Sequence, residues 1–101
     1  MKFVIAYTLR EGGTASERVK DGDAAQKLLA NWAPGGTIHQ WVQRCDGNGG
    51  FAISDQDDAA AIFRDLATWT PWLDFQVFPV IDITDAIPIQ QETLETVHGV
   101  L

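Results

Sequence analysis

Apolar side chains fall on both sides of the first stretch of the chain. With a period of two, Phe3, Ile5, Tyr7 and Leu9 share one side and Val4, Ala6 and Thr8 the other. A strand with one wet face would carry charge at every second position. After Lys2 none occurs, so a strand over residues 2–9 requires cover on both faces. The period then changes. Thr14 and Glu17 have the spacing of a capping box, and Val19, Ala25, Leu28, Leu29 and Trp32 recur at helical intervals, predicting a helix over 15–32. Asp21-Gly22-Asp23 predicts an interruption, because a mid-helix glycine costs about 1 kcal/mol relative to alanine. Arg10-Glu11-Gly12-Gly13 reads as the loop before this helix and Pro34-Gly35-Gly36 as its end.

Residues 37–55 read as a hairpin. Asp46-Gly47-Asn48-Gly49-Gly50 supplies the positive φ angles of a tight turn, and Ile38, Trp41, Val42 and Phe51, Ala52, Ile53 flank it as strands. Neither a phosphate loop nor a calcium loop fits. No Lys-Ser/Thr follows the glycines, and Phe51 and Asp57 stand where a calcium loop needs Gly and Glu. Asp55 is the expected N-cap of a second helix, with Ala59, Ile62, Phe63, Leu66 and Trp69 inward and Arg64, Asp65 and Thr68 outward. Pro71 ends it. Residues 72–82 form a fourth strand, apolar on both faces and assigned to an edge by Pro79, which cannot donate to a ladder. Asp85 is the expected cap of a third helix over 86–97, with Pro88 in its first turn and a weaker stripe of Ile87, Gln91, Leu94 and Val97.

The order β-α-β-β-α-β plus a C-terminal helix predicts one ferredoxin-like α+β domain over residues 1–101. Right-handed crossovers put both main helices on one face of a four-stranded antiparallel sheet, with the first and third strands central. The other face is left bare although its residues are apolar. Two copies packed sheet to sheet, a dimeric α/β barrel, would cover it.

Composition narrows the partners. The formal charge of −7 and the lack of a Lys/Arg cluster argue against nucleic acid and anionic membrane. A single cysteine fits a reducing compartment, and no stretch has spanning length, so a cytoplasmic protein is expected. No His, Cys and carboxylate stand at metal-ligand intervals.

The segments YTLREGGT, TIHQWVQR, DGNGGFAI and PWLDFQVFPVIDI resemble an uncharacterised family of small bacterial proteins, a domain of unknown function similar to the dimeric α/β-barrel superfamily. The resemblance implies the same dimeric barrel and no particular catalytic residue. That superfamily includes cofactor-free oxygenases, isomerases, haem-handling enzymes, stress proteins and ligand sensors, so the fold alone does not select a function.

Six residues are candidates for chemistry. His39 is a candidate acid/base, as an imidazole commonly is, or a structural edge-strand histidine. Asp74, between Leu73 and Phe75, is the second candidate base unless a cation or backbone N–H holds it ionised. Tyr7, Trp41, Arg44 and Trp72 are candidate ligand contacts. By parity Trp41 shares a face with His39, and Arg44 lies opposite, where it holds a ligand carboxylate or pairs with Asp74 or Asp82. Cys45 lacks the setting of a nucleophile. Two functions follow. One is a homodimer binding a small apolar or aromatic molecule between sheet and helices, with cofactor-free isomerase or oxygenase chemistry. The other is a non-catalytic dimeric structural, sensing or protein-interaction module.

Overall fold

The computed structural model describes residues 1–10 and 12–101. Glu11, in the expected Arg10–Gly13 loop, lies outside them. The element order is β1 (Lys2–Leu9), α1 (Ala15–Asn31), β2 (Thr37–Gln43), β3 (Gly49–Asp55), α2 (Ala59–Ala67), β4 (Leu73–Val80) and α3 (Ile83–Val100). The four strands form one antiparallel sheet in the order β2-β3-β1-β4, the ferredoxin-like arrangement. β1 and β3 are central. β4 is an edge, as Pro79 requires.

Register fixes the two faces. Val4 lies opposite Ile53 and Phe78, and Ile5 opposite Ala52 and Val77. The odd residues of β1 point to the helices, where Phe3, Ile5 and Ile62 are buried and Ala52, Leu66 and Phe75 pack against them. The even residues point to the bare face, where Val42, Phe51 and Phe78 are about half exposed (43 %, 48 % and 51 %).

The first helix forms as its cap dictates. Thr14 Oγ1 accepts from Glu17 N–H and Glu17 Oε2 accepts from Thr14 N–H, both at 3.2 Å. The helix then runs through Gly22 without a break. One glycine's cost does not outweigh a capped start and an apolar second half. That half, with Ala25, Leu28 and Trp32, sits over the sheet, whereas Val19 is exposed.

α2 departs from expectation at both start and orientation. Its N-cap is Asp58, whose side chain accepts from Ala61 N–H at 2.8 Å; Asp55 is still part of β3. Asp65 is buried at 8 % exposure and Phe63 is 73 % exposed, the reverse of the outward and inward places expected for them. Ile62 and Trp69 fix the buried stripe, and Asp65, three residues after Ile62 and four before Trp69, falls on it.

β4 is shorter than expected, and Asp82 rather than Asp85 caps α3, without a side-chain hydrogen bond. Pro88 therefore lies beyond the first turn and removes one backbone donor. α3 has no buried residue. The molecule measures 63 × 25 × 21 Å. No helix among the described residues is long and apolar enough to cross a membrane.

Candidate functional site

A cavity of about 190 Å³ lies between the sheet and the two crossover helices. Ile5 and Tyr7 of β1, Ile38 and Trp41 of β2, Ala52 and Ser54 of β3, and Leu73 and Phe75 of β4 form its floor. Ala25, Gln26, Leu29 and Trp32 from the α1 side and Ile62, Asp65, Leu66 and Trp69 from the α2 side form its roof. The lining is almost wholly apolar. Ala52, small and central in the floor, leaves the room that a larger residue would fill.

All four tryptophans of the sequence stand in one edge-to-face chain. Trp41 meets Trp32 with centroids 6.2 Å apart, Trp32 meets Trp69 at 5.5 Å, and Trp69 meets Trp72 at 6.3 Å. Such pairs contribute about 0.5–1.5 kcal/mol each beyond their buried area. Three of the four line the cavity. Trp72 stands behind Trp69, outside the lining.

Hydrogen-bonded polar side chains sit at two places on the wall. Trp41 Nε1–H donates to Tyr7 Oη at 2.7 Å, leaving the phenol's own proton to donate elsewhere. Tyr7 lies over Gly50, where a Cβ would come within 2.4 Å of its oxygen, so this position has no room for a side chain. At the other place, Asp65 accepts from Gly35 N–H at 3.0 and 3.1 Å and from Gln56 Nε2 at 3.0 Å. Gln56 Nε2 also donates to Ser54 Oγ at 2.9 Å. Trp32, Trp69, Gln56 and Asp65 were absent from the six sequence candidates. Helical spacing placed the first two in the core, and i+3 from Ile62 was the available signal for Asp65.

His39 and Asp74 lie on the other side of the sheet. β2 has a bulge between Ile38 and Gln40, which leaves His39 as the extra residue and breaks the parity that joined it to Trp41. Trp41, opposite Ala52, faces the helices. His39 instead pairs with Asp55 through Nε2 and Oδ2. Asp74 faces the bare side opposite Thr8 and pairs with Arg10 at 3.1 Å. Arg44 pairs with neither Asp74 nor Asp82 but with Asp46 in the hairpin turn. Asn48 N–H and then Arg44 hold the Asp46 carboxyl below its ordinary 3.8. Asp82 takes Lys2.

One end of the bare face thus carries a row of paired polar groups, His39 with Asp55 and Lys2 with Asp82. The hydrogen bond from His39, followed by the attraction of His39 and Lys2, holds Asp55 below its ordinary 3.8 despite some desolvation. A depressed carboxyl adds stability above its unfolded value, and that stability is lost as pH falls through the folded value. Urea midpoints of the wild type should therefore decline below about pH 4 more steeply than those of Asp55→Asn. Parallel acid limbs would show that the row contributes nothing.

A ferredoxin-like α+β domain with an apolar, tryptophan-walled cavity between sheet and helices is the class that these features define. The chain belongs to the family described as a domain of unknown function (DUF3303), whose model matches residues 1–94. No curated protein matches it. Among solved structures, it is similar to SnoaB, a cofactor-independent oxygenase from Streptomyces nogalater, with 20 % identity over 80 % of this chain and 92 % of that one and a TM-score of 0.39. A mutant of the same oxygenase gives 22 % identity, the same coverage and a TM-score of 0.38.

Proposed function

We propose that this protein binds a small, mostly apolar or aromatic molecule in the cavity beneath α1 and α2, and that it does so as a homodimer. The cavity itself carries the reading: roughly 190 Å³ of apolar space walled by three tryptophans, with few polar side chains in its lining. Ligand sites combine a mostly apolar lining with a few placed polar groups. An apolar cavity of about 150 Å³ suffices to hold benzene.

The dimer follows from the other side of the sheet. Val42, Phe51 and Phe78 on the bare face and the apolar positions of α3 are exposed in one copy, and a second copy supplies matching surfaces for both.

Turnover in this cavity would need a group that moves a proton. His39 and Asp74 face away from it, and Asp65, the one carboxylate on its described wall, already accepts from two donors, the Gly35 N–H and the Gln56 amide. The placement of these groups supports binding over isomerase or oxygenase chemistry, and so favours the non-catalytic, sensing side of the two alternatives.

Toluene is a suitable first probe because it has no polar group to satisfy. It should bind by calorimetry and, near saturation, raise the melting temperature by about 3 °C or more through mass action. Ala52→Phe, which fills the floor, should abolish both effects. Failure of toluene to bind at its solubility limit would refute a site there.

A further inference from the structure

The two halves of the cavity's roof are held in different ways. α2 is fastened to the rest of the chain. Its Ile62 and Asp65 are buried, and the Asp65 carboxylate accepts from Gly35 and from Gln56. α1 has no buried residue. Among the described residues, its hydrogen bonds beyond the helix run only to its own flanks. Glu17 and Arg18 join Thr14 and Gly12 before it, and Leu29 joins Trp32 after it. None of its charged side chains forms an ion pair among those residues.

Apolar contact alone therefore holds α1 over the sheet, and only through its C-terminal half. Residues 15–24 are exposed throughout. Ala25, Gln26 and Leu29 line the cavity, so the part of the helix that covers the sheet rests partly on empty space. A side chain over a void forfeits the dispersion contacts that a packed core supplies.

The mouth of the cavity lies at the same helix. Leu29 of α1 and Trp41 of β2 line it and yet are 47 % and 45 % exposed, so it opens to solvent between them. The β2 side is fixed, because Trp41 Nε1–H donates to Tyr7 Oη and its ring meets Trp32. The C-terminal end of α1 is fixed too, by Trp32 against Trp69 and by Gly35 on Asp65. Motion is left to the N-terminal length of the helix, which follows two glycines at positive φ, Gly12 and Gly13.

We propose that α1 is the gate of the cavity: its N-terminal length swings off the sheet about the anchored residues 32–36 to admit the ligand, and a bound ligand holds it shut. This rests on the cavity being the binding site, and it names how occupancy is regulated. A ligand supplies the apolar contact that Ala25 and Leu29 lack, so it favours the closed form over the open one and shifts the population accordingly. Occupancy thereby becomes order in an exposed helix, a change that a sensing module can transmit.

Amide hydrogen exchange on the wild-type protein, with and without toluene, tests this. With Gly22 in its interior, a 17-residue helix lifted off the sheet is marginal in water, so its amides exchange at each opening. In the free protein the amides of residues 25–31 should exchange at least about a hundredfold faster than those of β1, because opening leaves the sheet intact. Toluene at roughly nine times its Kd should slow them about tenfold by mass action on the closed form. Exchange of residues 25–31 as slow as that of β1 in the free protein would overturn the gate while leaving the cavity as a site. Toluene that binds by calorimetry but leaves those amides unchanged would do the same. If toluene does not bind, the cavity reading falls and the gate with it. Every reading comes from the unmodified protein, so no variant has to fold.

Discussion

Asp65→Ala should melt roughly 15 °C below the wild type. The carboxylate is 8 % exposed and joins three parts of the chain. It accepts from Gly35 N–H in the loop after α1 and from Gln56 after β3, while its own backbone belongs to α2. Truncation leaves one N–H of the buried Gln56 amide and the N–H of Gly35, an exposed loop residue, without their acceptor. At about 1–3 kcal/mol for the unsatisfied buried Gln56 donor, with a smaller loss from the Gly35 hydrogen bond, the sum is about 3 kcal/mol. For a domain near 100 residues, each kcal/mol moves the midpoint by roughly 4–8 °C. Asp65→Asn keeps one acceptor and turns the other into a donor, so its loss should be intermediate. Thermal melts of the three proteins at one concentration decide the point. An Asp65→Ala protein melting within about 2 °C of the wild type would mean that water satisfies these donors and that Asp65 is not the tie between roof and floor.

Asp65 also shows where sequence patterning stops being informative. Strand order, the central place of β1 and β3, the edge place of β4 and the capping box of α1 all follow from spacing and turn chemistry, and all appear in the structure. These are local rules, or rules that topology enforces. The orientation of α2 is different. A stripe drawn through its most apolar residues includes Phe63 and excludes Asp65, because polarity alone says nothing of a partner thirty residues earlier in the chain. Gly35 N–H makes the buried carboxylate tolerable, and only the assembled fold brings it there.

The bulge at His39 is the second instance. Alternation along β2 assumes an unbroken ladder, and one extra residue moves His39 to the bare face while Trp41 stays with the cavity. Nothing in TIHQWVQ marks the irregularity. The two residues that parity joins therefore serve opposite faces, one in a polar row and the other in the aromatic wall. Gln56 was invisible for a related reason. As a single polar residue after a strand it has no pattern, and only the fold brings its amide between Ser54 and Asp65.

The bare face gives the second large expected effect. On the dimer reading, the purified protein should sediment at twice 11.1 kDa at micromolar concentration, and Phe51→Asp with Phe78→Asp should return it to a single copy. Both phenylalanines are about half exposed in one copy and lie on the same face as Val42 and Ile53. In a two-fold assembly each substitution occurs twice, so four carboxylates would be placed in apolar surroundings without partners. Even about 1 kcal/mol apiece weakens association by roughly a thousandfold. α3 supplies an independent check. Ile83, Ile87, Leu94, Val97 and Leu101 are exposed, and with Gln90 they follow the alternating four- and three-residue steps of a helix-pairing seam. Leu94→Glu should therefore weaken the dimer without unfolding the subunit, whose core α3 does not enter. Two copies at −7 each repel, so moderate salt should tighten the association by screening, whereas an interface held by ion pairs would loosen. A wild-type protein that sediments as one copy at about 100 μM leaves the sheet's second face wet, and the two-copy reading would then be wrong.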